Sequence, residues 1–501
     1  MMATLYYGDL VRAGAEVAAR GAKLAGGLMR LGMVEGNVAA LLLRNDPIYA
    51  DAIPACRTGG FYYCPINWHF TRDEVAFLVT DSKAKVLIVA ADLYPAVKDA
   101  IPAGVKVLVS GAQDGQVPPG TLAYESWLDA QSPYDGPVVS PRGHLAYSSG
   151  TTGRPKGVLR KAWPVGEAAE GQRRSDALAA QCFGVVPGCR TLMPAPLYHS
   201  APSLITQTSL RLAERLVVMP RFDAEETLRL IELHRIDLAY MVPTMYVRML
   251  KLPEEVRSRY DLSSLRFIAS TGSPCPPDVK RAMIDWLGPK IYETYAASET
   301  GLITIMSSEE ALERPGSAGL PAGDATIRIV SEEGLPCPTG EIGLIYMKQP
   351  AYADFTYVGN EEARRAAEKD GLVTLGDMGY LDPQGYLFIC DRASDMVISG
   401  GVNIYPAEAE HALMGCPGVL DCAVFGIPDE EMGERLMVAI LPEPGAVVDA
   451  AAVEQWLRPR IAGYKIPRDV TLVTEFPRDD NGKVAKRKLR AKYWEGRERR
   501  V

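Results

Sequence analysis

The sequence predicts an α/β protein: a large N-terminal domain of two doubly wound α/β subdomains plus a small β-rich subdomain, followed by a small α+β C-terminal domain. Three observations predict it. Short apolar runs alternate with amphipathic stretches over residues 11–110 and again over 191–305, the pattern of parallel sheets covered on both faces. After about Gly316 the runs shorten and turns separate them, which suits a small β subdomain. Roughly the last hundred residues mix helix and strand signals again, and a chain of 501 residues is too long for one core.

In order, Val17, Leu24, Leu28 and Leu31 recur at helical spacing within residues 11–31, and residues 38–43 form an apolar run typical of a buried strand. Thr71-Arg72-Asp73-Glu74 is a capping box that opens a helix. Val86–Ala90 reads as a strand, 93–101 as a helix and 105–110 as a strand, and the Pro- and Gly-rich residues 111–141 read as a connector. Residues 144–147 form a short strand. In the second alternating region 216–219, 238–242 and 265–270 read as strands and Ala224–His234 as a helix. Residues 325–329 and 343–347 are strands of the β-rich part. Beyond a boundary near 391–395, residues 422–425, 437–441 and 470–473 read as strands, and 406–414 and Ala450–Leu457 as helices. The domains are therefore expected at 1–391 and 392–501.

Composition narrows the function. The balance of 54 Lys+Arg against 62 Asp+Glu leaves a net charge of −8, which gives no general attraction to nucleic acid or anionic membrane. No apolar run is long enough to span a bilayer and no secretory signal opens the chain, so a cytoplasmic location is expected. Nine cysteines without a Cys-x-x-Cys, and His69, His144, His199, His234 and His411 scattered far apart, argue against a disulfide framework and a transition-metal site. A hard cation held by carboxylate and phosphate stays open. The basic stretch 483–500 reads as a solvated helical face.

Chemistry concentrates in the stretch Tyr147-Ser148-Ser149-Gly150-Thr151-Thr152-Gly153-Arg154-Pro155-Lys156-Gly157-Val158. Hydroxyls, glycines and a lysine can wrap N–H groups, hydroxyls and an ammonium around phosphate oxygens. It is not a P-loop, because Lys156 follows a proline and precedes Gly157 instead of opening a helix. The loop is expected at a strand's end, where open α/β sheets bind ligands. In Tyr292-Glu293-Thr294-Tyr295-Ala296-Ala297-Ser298-Glu299, Glu299 suits Mg²⁺, Ser298 a phosphate oxygen, Tyr295 stacking on a base and Glu293 an exocyclic amine. Asp377 suits a ribose diol and Arg392 follows a predicted strand. The Asn481-Gly482 turn presents Lys483 as a movable cation. Each of these acidic, ribose-type and lysine motifs alone reads more readily as surface or packing.

Together, Tyr-x-Ser-Gly-Thr-Thr-Gly-x-Pro-Lys-Gly, Tyr-x-x-Ser-Glu, Gly-Asp, Asp-Arg-x-x-Asp, Gly-Tyr-Lys-Ile-Pro-Arg at 463–468 and Asn-Gly-Lys resemble the adenylate-forming superfamily of acyl-CoA synthetases, firefly luciferase and nonribosomal peptide adenylation domains. The resemblance spans nearly the whole chain. It implies a ligase with ATP, Mg²⁺ and CoA: a carboxylate attacks the α-phosphorus, pyrophosphate leaves, and a thiol displaces AMP from the acyl-adenylate. By the same resemblance Ser148, Ser149, Gly150, Thr151, Thr152, Gly153 and Lys156 hold the β- and γ-phosphates. Ser298 and Glu299 hold phosphate and metal, Asp377 and Arg392 hold ribose, and Lys483 bridges the carboxylate and the α-phosphate. Gly400 and Gly401 line the thiol's tunnel. The C-terminal domain is expected to rotate between the steps about Ser394, where relatives carry Asp or Lys. The acyl site is expected between 196–202, 240–244 and 270–273, with His199 beside the acyl carbon, Gly272 in its wall, and Ala296 where relatives carry Gly. Those three segments hold no Arg or Lys, so a hydrophobic monocarboxylate, fatty or aromatic, is expected. The competing readings are an amide-bond synthetase with an amine acceptor, a stand-alone module that loads a carrier protein, and a nonenzymatic binding paralogue. No nucleic acid or membrane insertion is expected, and a homodimer is compatible with the chain.

Overall fold

The computed structural model describes residues 2–112, 117–148, 155–273, 275–400, 402–478 and 484–495. Two parallel sheets dominate the N-terminal body. The first orders its strands Tyr62–Pro65, Val38–Leu42, Val86–Ala90, Lys106–Ser110 and Leu122–Ala123, all parallel. The second runs Ile291–Glu293, Phe267–Ser270, Leu238–Met241, Arg190–Met193, Arg215–Val218 and Thr4–Tyr7 in parallel, closed by Leu10–Arg12 in the antiparallel sense.

The side-chain period of two explains how the sheets stack. Val38, Ala40 and Leu42 join Leu87 and Val89 in an outer core with the helix Arg72–Asp81, while Ala39 and Leu41 join Val86 and Ile88 in the large core shared with the second sheet. The helices Gly14–Arg30 and Ile48–Gly59 lie in that shared layer, which buries Val17, Leu24, Leu28, Ile48 and Ile53. Each such aliphatic side chain contributes about 1.5–3 kcal/mol relative to exposure. Gly21 permits the close approach of the two helices, since a Cβ there would meet the Pro54 ring at 2.9 Å.

Several expectations change. The first helix starts at Gly14, not at residue 11, because Leu10–Arg12 is an edge strand of the second sheet. Residues 93–101 make only one α-turn, Tyr94–Val97, and a 3₁₀ turn, Lys98–Ala100. The connector 111–141 contains the strand Leu122–Ala123 and the helix Tyr124–Asp129. The capping box is present: the Thr71 amide donates to the Glu74 carboxylate at 2.7 Å and the Glu74 amide to the Thr71 hydroxyl.

Among the described residues four further sheets complete the fold, the smallest of them the two-stranded pair Ala296–Ala297 and Gly301–Leu302. Ala146–Ser148, Lys156–Arg160 and Phe355–Tyr357 form an antiparallel three-stranded ribbon. The sequence reading placed the phosphate-type loop after a strand of an open α/β sheet. Instead it joins the two strands of a hairpin, tied to the first sheet by the parallel bridge between Tyr63 and His144. The β-rich sheet orders Thr304–Ile305, Ser317–Pro321, Leu387–Arg392, Leu372–Leu381, Gly343–Lys348 and Thr326–Val330. The C-terminal sheet orders Val402–Ile404, Val397–Ser399, Gly433–Pro442 and Val419–Asp429, with Asp469–Leu472 paired to the third of these. Among the described residues no helix is long and apolar enough to cross a membrane.

Candidate active site

The ribbon brings the loop lysine to the acidic motif. Lys156 opens the strand Lys156–Arg160, and its Nζ lies 5.3 Å from the centroid of the Tyr357 ring on the paired strand. The Tyr357 hydroxyl donates to Glu299 Oε1 at 3.2 Å, and Glu299 is 8% exposed. Burial, reinforced by this carboxylate, pushes the Tyr357 phenol well above its ordinary pKa, so it remains a donor. Ser298 shares a hydroxyl contact of 2.8 Å with Ser200. Arg160, at the far end of the same strand, donates to the carbonyls of Ser298 at 2.8 Å and Glu299 at 2.9 Å. Ser149, Gly150, Thr151, Thr152 and Gly153 lie outside the described residues, and Ser148 is described only as backbone of the hairpin.

A second group lies where the β-rich sheet meets the Glu293–Glu299 segment. Asp377 and Arg392 are cross-strand partners, and Arg392 Nε donates to Asp377 Oδ1 at 3.3 Å. The Tyr295 hydroxyl donates to Asp377 Oδ2. Burial opposes the charge on Arg392, but Asp377, Asp395 and Tyr295 outweigh it and raise its pKa. Tyr295 and Asp377, read from the sequence as separate contacts to base and ribose, are thus directly bonded to each other, and the Tyr295 ring packs against the core of Ile303, Ile329, Ile345, Met347 and Leu387.

Glu293, expected to accept from an exocyclic amine, has a partner within the protein. Its carboxylate forms an ion pair with Lys280 from the helix Pro277–Leu287, with side-chain exposures of 16% and 8%. Burial raises the Glu293 pKa and Lys280 counteracts that rise. The carboxylate therefore has a lysine partner inside the protein, and the expected amine partner from an adenine is not needed to satisfy it.

The acyl segments leave neighbouring parallel strands at their carboxyl ends: Met241 is in register with Ser270, and Ser270 with Glu293. His199 is the N-cap of the helix Ser200–Leu212, its ring 4.4 Å from that of Tyr198. Gly272 has φ +97°, a left-handed conformation that suits glycine, and faces open space where a Cβ would stand. Thr271 fastens this wall to the acidic motif by donating to the Thr294 carbonyl at 2.7 Å.

Sequence reasoning missed Asn45. This buried amide donates to the Ala195 carbonyl at 2.9 Å and the Met219 carbonyl at 2.8 Å, and accepts from the Leu197 amide at 2.8 Å. It clips the segment leading to His199 across the ends of two strands. The available signal was an Asn just beyond an apolar strand, at the edge where such sheets bind ligands.

In the C-terminal part, Gly400 has φ +57° and its amide donates to the Met432 carbonyl at 2.8 Å, next to the outlying Gly401, which is outside the described residues, as is Lys483. Arg392 ends a strand of the β-rich sheet, and Val397–Ser399 begins the C-terminal sheet, so the connection runs through 393–396. Among the described residues no group of three or more His, Cys, Asp or Glu could hold a metal ion.

Comparison with known proteins bears on this arrangement. Residues 13–354 match the sequence family described as AMP-binding enzyme, and residues 408–483 match that described as AMP-binding enzyme C-terminal domain. A feruloyl-CoA synthase of Amycolatopsis sp. is 34% identical over 487 residues, covering 96% of this chain and 93% of its own. An indoleacetate–CoA ligase of Aromatoleum aromaticum is 34% identical over 479 residues, covering 93% and 90%. The solved amide bond synthetase McbA from Marinactinospora thermotolerans has the same fold, with a TM-score of 0.84 over 98% of this chain and 96% of that one at 22% identity.

Proposed function

The chain belongs to the AMP-binding enzyme family, and we propose that it joins a hydrophobic monocarboxylate, aromatic in the first instance, to coenzyme A at the expense of ATP. In the first step a carboxylate oxygen attacks the α-phosphorus and the bond to pyrophosphate breaks. In the second the CoA sulfur attacks the acyl carbon and AMP leaves. Both are displacements governed by positioning and charge stabilisation.

The observation that carries the reading is the convergence of Lys156, Tyr357 and Glu299 at the base of the hairpin loop. In our reading Lys156 and the loop hydroxyls hold the departing pyrophosphate, Ser298 a phosphate oxygen, and Asp377 with Arg392 the ribose. His199 and Gly272 border the acyl group, and Gly400 and Gly401 the pantetheine. Lys483 enters from the C-terminal domain, whose connection at 393–396 serves as the hinge. Glu299 is the carboxylate that would hold a divalent ion, together with the substrate's phosphates, a hard-oxygen donor set of the kind Mg²⁺ takes. Such an ion supplies charge neutralisation on the polyphosphate.

The acid is read as a monocarboxylate because the three acyl segments hold no Arg or Lys and the neighbouring Lys280 is paired with Glu293. The two relatives at 34% identity are named for aromatic acids, which makes ferulate and indoleacetate the first substrates to try. Nine free thiols, seven of them buried, support a reducing, cytoplasmic setting.

The test is release of pyrophosphate and AMP from the purified protein with ferulate, indoleacetate, octanoate and a succinyl-substituted benzoate, each with CoA, with simple amines and with a carrier protein. We expect a CoA thioester from a monocarboxylate, with the dicarboxylate at least about tenfold poorer because its second charge would be buried unpaired. Adenylation that delivers amide or carrier thioester but no CoA thioester overturns the acceptor assignment.

A further inference from the structure

The guanidinium of Arg160 is placed unlike any other charged group near the site. It takes three backbone carbonyls from two separate chain segments: Ala353 through Nη1 at 2.7 Å, and Ser298 and Glu299 through Nη2 at 2.8 and 2.9 Å. It stacks 5.1 Å from the centroid of the Tyr352 ring. Burial lowers its pKa, which still leaves a guanidinium charged at neutral pH. The neighbouring His144 contributes no competing cation, because burial, with Arg160 beside it, pushes its pKa down to about 4.

Arg160 is itself fixed. Its backbone pairs with Phe355 in the ribbon, and its carbonyl accepts from the Tyr62 hydroxyl at 2.7 Å. The same ribbon holds the other end of Glu299, since Tyr357 lies two residues beyond Phe355, the cross-strand partner of Arg160, and donates to the Glu299 carboxylate. Glu299 is therefore gripped twice by one element, at its carbonyl by Arg160 and at its carboxylate by Tyr357. The strand that supplies Arg160 also begins with Lys156.

We propose that Arg160 is a positioning residue for adenylation: it locks the backbone of Ser298 and Glu299 to the hairpin that carries the phosphate-type loop, so that Lys156 and the Glu299 carboxylate keep a fixed spacing across the polyphosphate. This rests on the ATP-binding role assigned above. A planar fork is required, because a lysine ammonium reaches the site as a point charge and cannot span carbonyls on two segments with the same geometry. Removing the fork leaves buried carbonyls without a donor and lets the Ser298–Glu299 turn shift relative to the loop.

The test compares Arg160→Ala and Arg160→Lys with the wild type in four measurements: affinity for the magnesium complex of α,β-methylene-ATP by calorimetry, acid-dependent ATP–pyrophosphate exchange, thioester formation from supplied acyl-adenylate, and thermal midpoint. We expect Arg160→Ala to weaken nucleotide binding and slow exchange about tenfold or more, with thioester formation from the supplied adenylate within about twofold of wild type. Arg160→Lys should recover part of the loss. Should Arg160→Ala not fold, Arg160→Lys decides: a raised KM for ATP with intact thioester formation supports the assignment, and an unchanged KM overturns it. Equal loss of both half-reactions in proportion to a fall in thermal midpoint overturns it as well. Wild-type protein that binds the nucleotide but exchanges pyrophosphate with no acid would instead count against the proposed activity.

Discussion

His144 shows how one side chain at the edge of the site ties stability to pH. It bridges to Tyr63 by backbone pairing, the two rings lie 6.1 Å apart, and burial beside Arg160 pushes the imidazole pKa from 6.5 down to about 4. The folded protein then keeps His144 neutral where the unfolded chain protonates it, so between pH 6.5 and 4 the unfolded state binds more protons. The stability this contributes is complete above pH 6.5 and is lost as the pH falls toward 4. A shift of this size corresponds to a loss of about 3 kcal/mol. Urea midpoints across pH 4–7 should fall less steeply in His144→Gln than in the wild type, and parallel curves would remove His144 as the source. Asn45, Arg160, Tyr357 and Lys280 belong to the same scale, and none was legible as functional in the sequence. Their importance lies in partners tens to hundreds of positions away, and no local pattern marks a side chain for a distant carbonyl.

At the scale of elements, local patterns translated well where packing agreed with them. Val86–Ala90 and Ala224–His234 keep the bounds read from the sequence, the first because a continuous apolar run is buried on both faces of a parallel sheet, the second because Asp223 caps its N-terminus. The strands Thr4–Tyr7 and Leu10–Arg12 were invisible, since the first finds its parallel partner Arg215–Val218 some two hundred residues along the chain and the second pairs only with the first. The loop hairpin was half legible: its first strand was expected, its antiparallel partner was not. In this hairpin Gly157 stands opposite Tyr147, whose hydroxyl donates to Asp81 at 2.7 Å, and a Cβ on Gly157 would meet the Tyr147 ring and Val358 at 2.9 Å. Gly157→Ala must displace a ring that is both packed and hydrogen-bonded. We expect it to cost about 1–3 kcal/mol, as overpacking does, and to depress ATP–pyrophosphate exchange because the strand between Lys156 and Arg160 moves with it. Denaturant midpoints and exchange rates measured together check both effects, and a variant as stable and active as wild type would mean that the ribbon yields freely.

At the scale of the whole molecule, the order of motifs along the chain made the family legible, and the sequence marked a boundary near 391–395 without the side chains that brace it. The join is specific. Arg490, on the helix Lys486–Ala491, donates from Nη1 to the Ser394 carbonyl and to Asp395 Oδ1, each at 3.1 Å. On the same helix Lys486 pairs with Glu410 at 2.9 Å; burial resists both charges, and the pairing, with Asp391 and Asp395 nearby, keeps the lysine pKa raised. Asp391 accepts from the Ala407 amide at 2.9 Å and so fastens the last strand of the β-rich sheet to the first helix beyond the connection. The helix that follows Lys483 by three residues is thus held against the connection at 393–396, so in the proposed rotation of the C-terminal domain the lysine would travel with it. Lys483 is consequently expected to serve only the step performed in one arrangement. Lys483→Ala should abolish acid-dependent pyrophosphate exchange, by a factor of at least about 10² for the loss of a cation at the reacting phosphate. Thioester formation from supplied acyl-adenylate should stay within a few-fold of wild type, because in the proposed mechanism the thiol attack does not use this ammonium. Equal loss of the two half-reactions would mean that a single arrangement of the domains performs both, and that the contacts of Arg490 and Lys486 fix the hinge instead of guiding it.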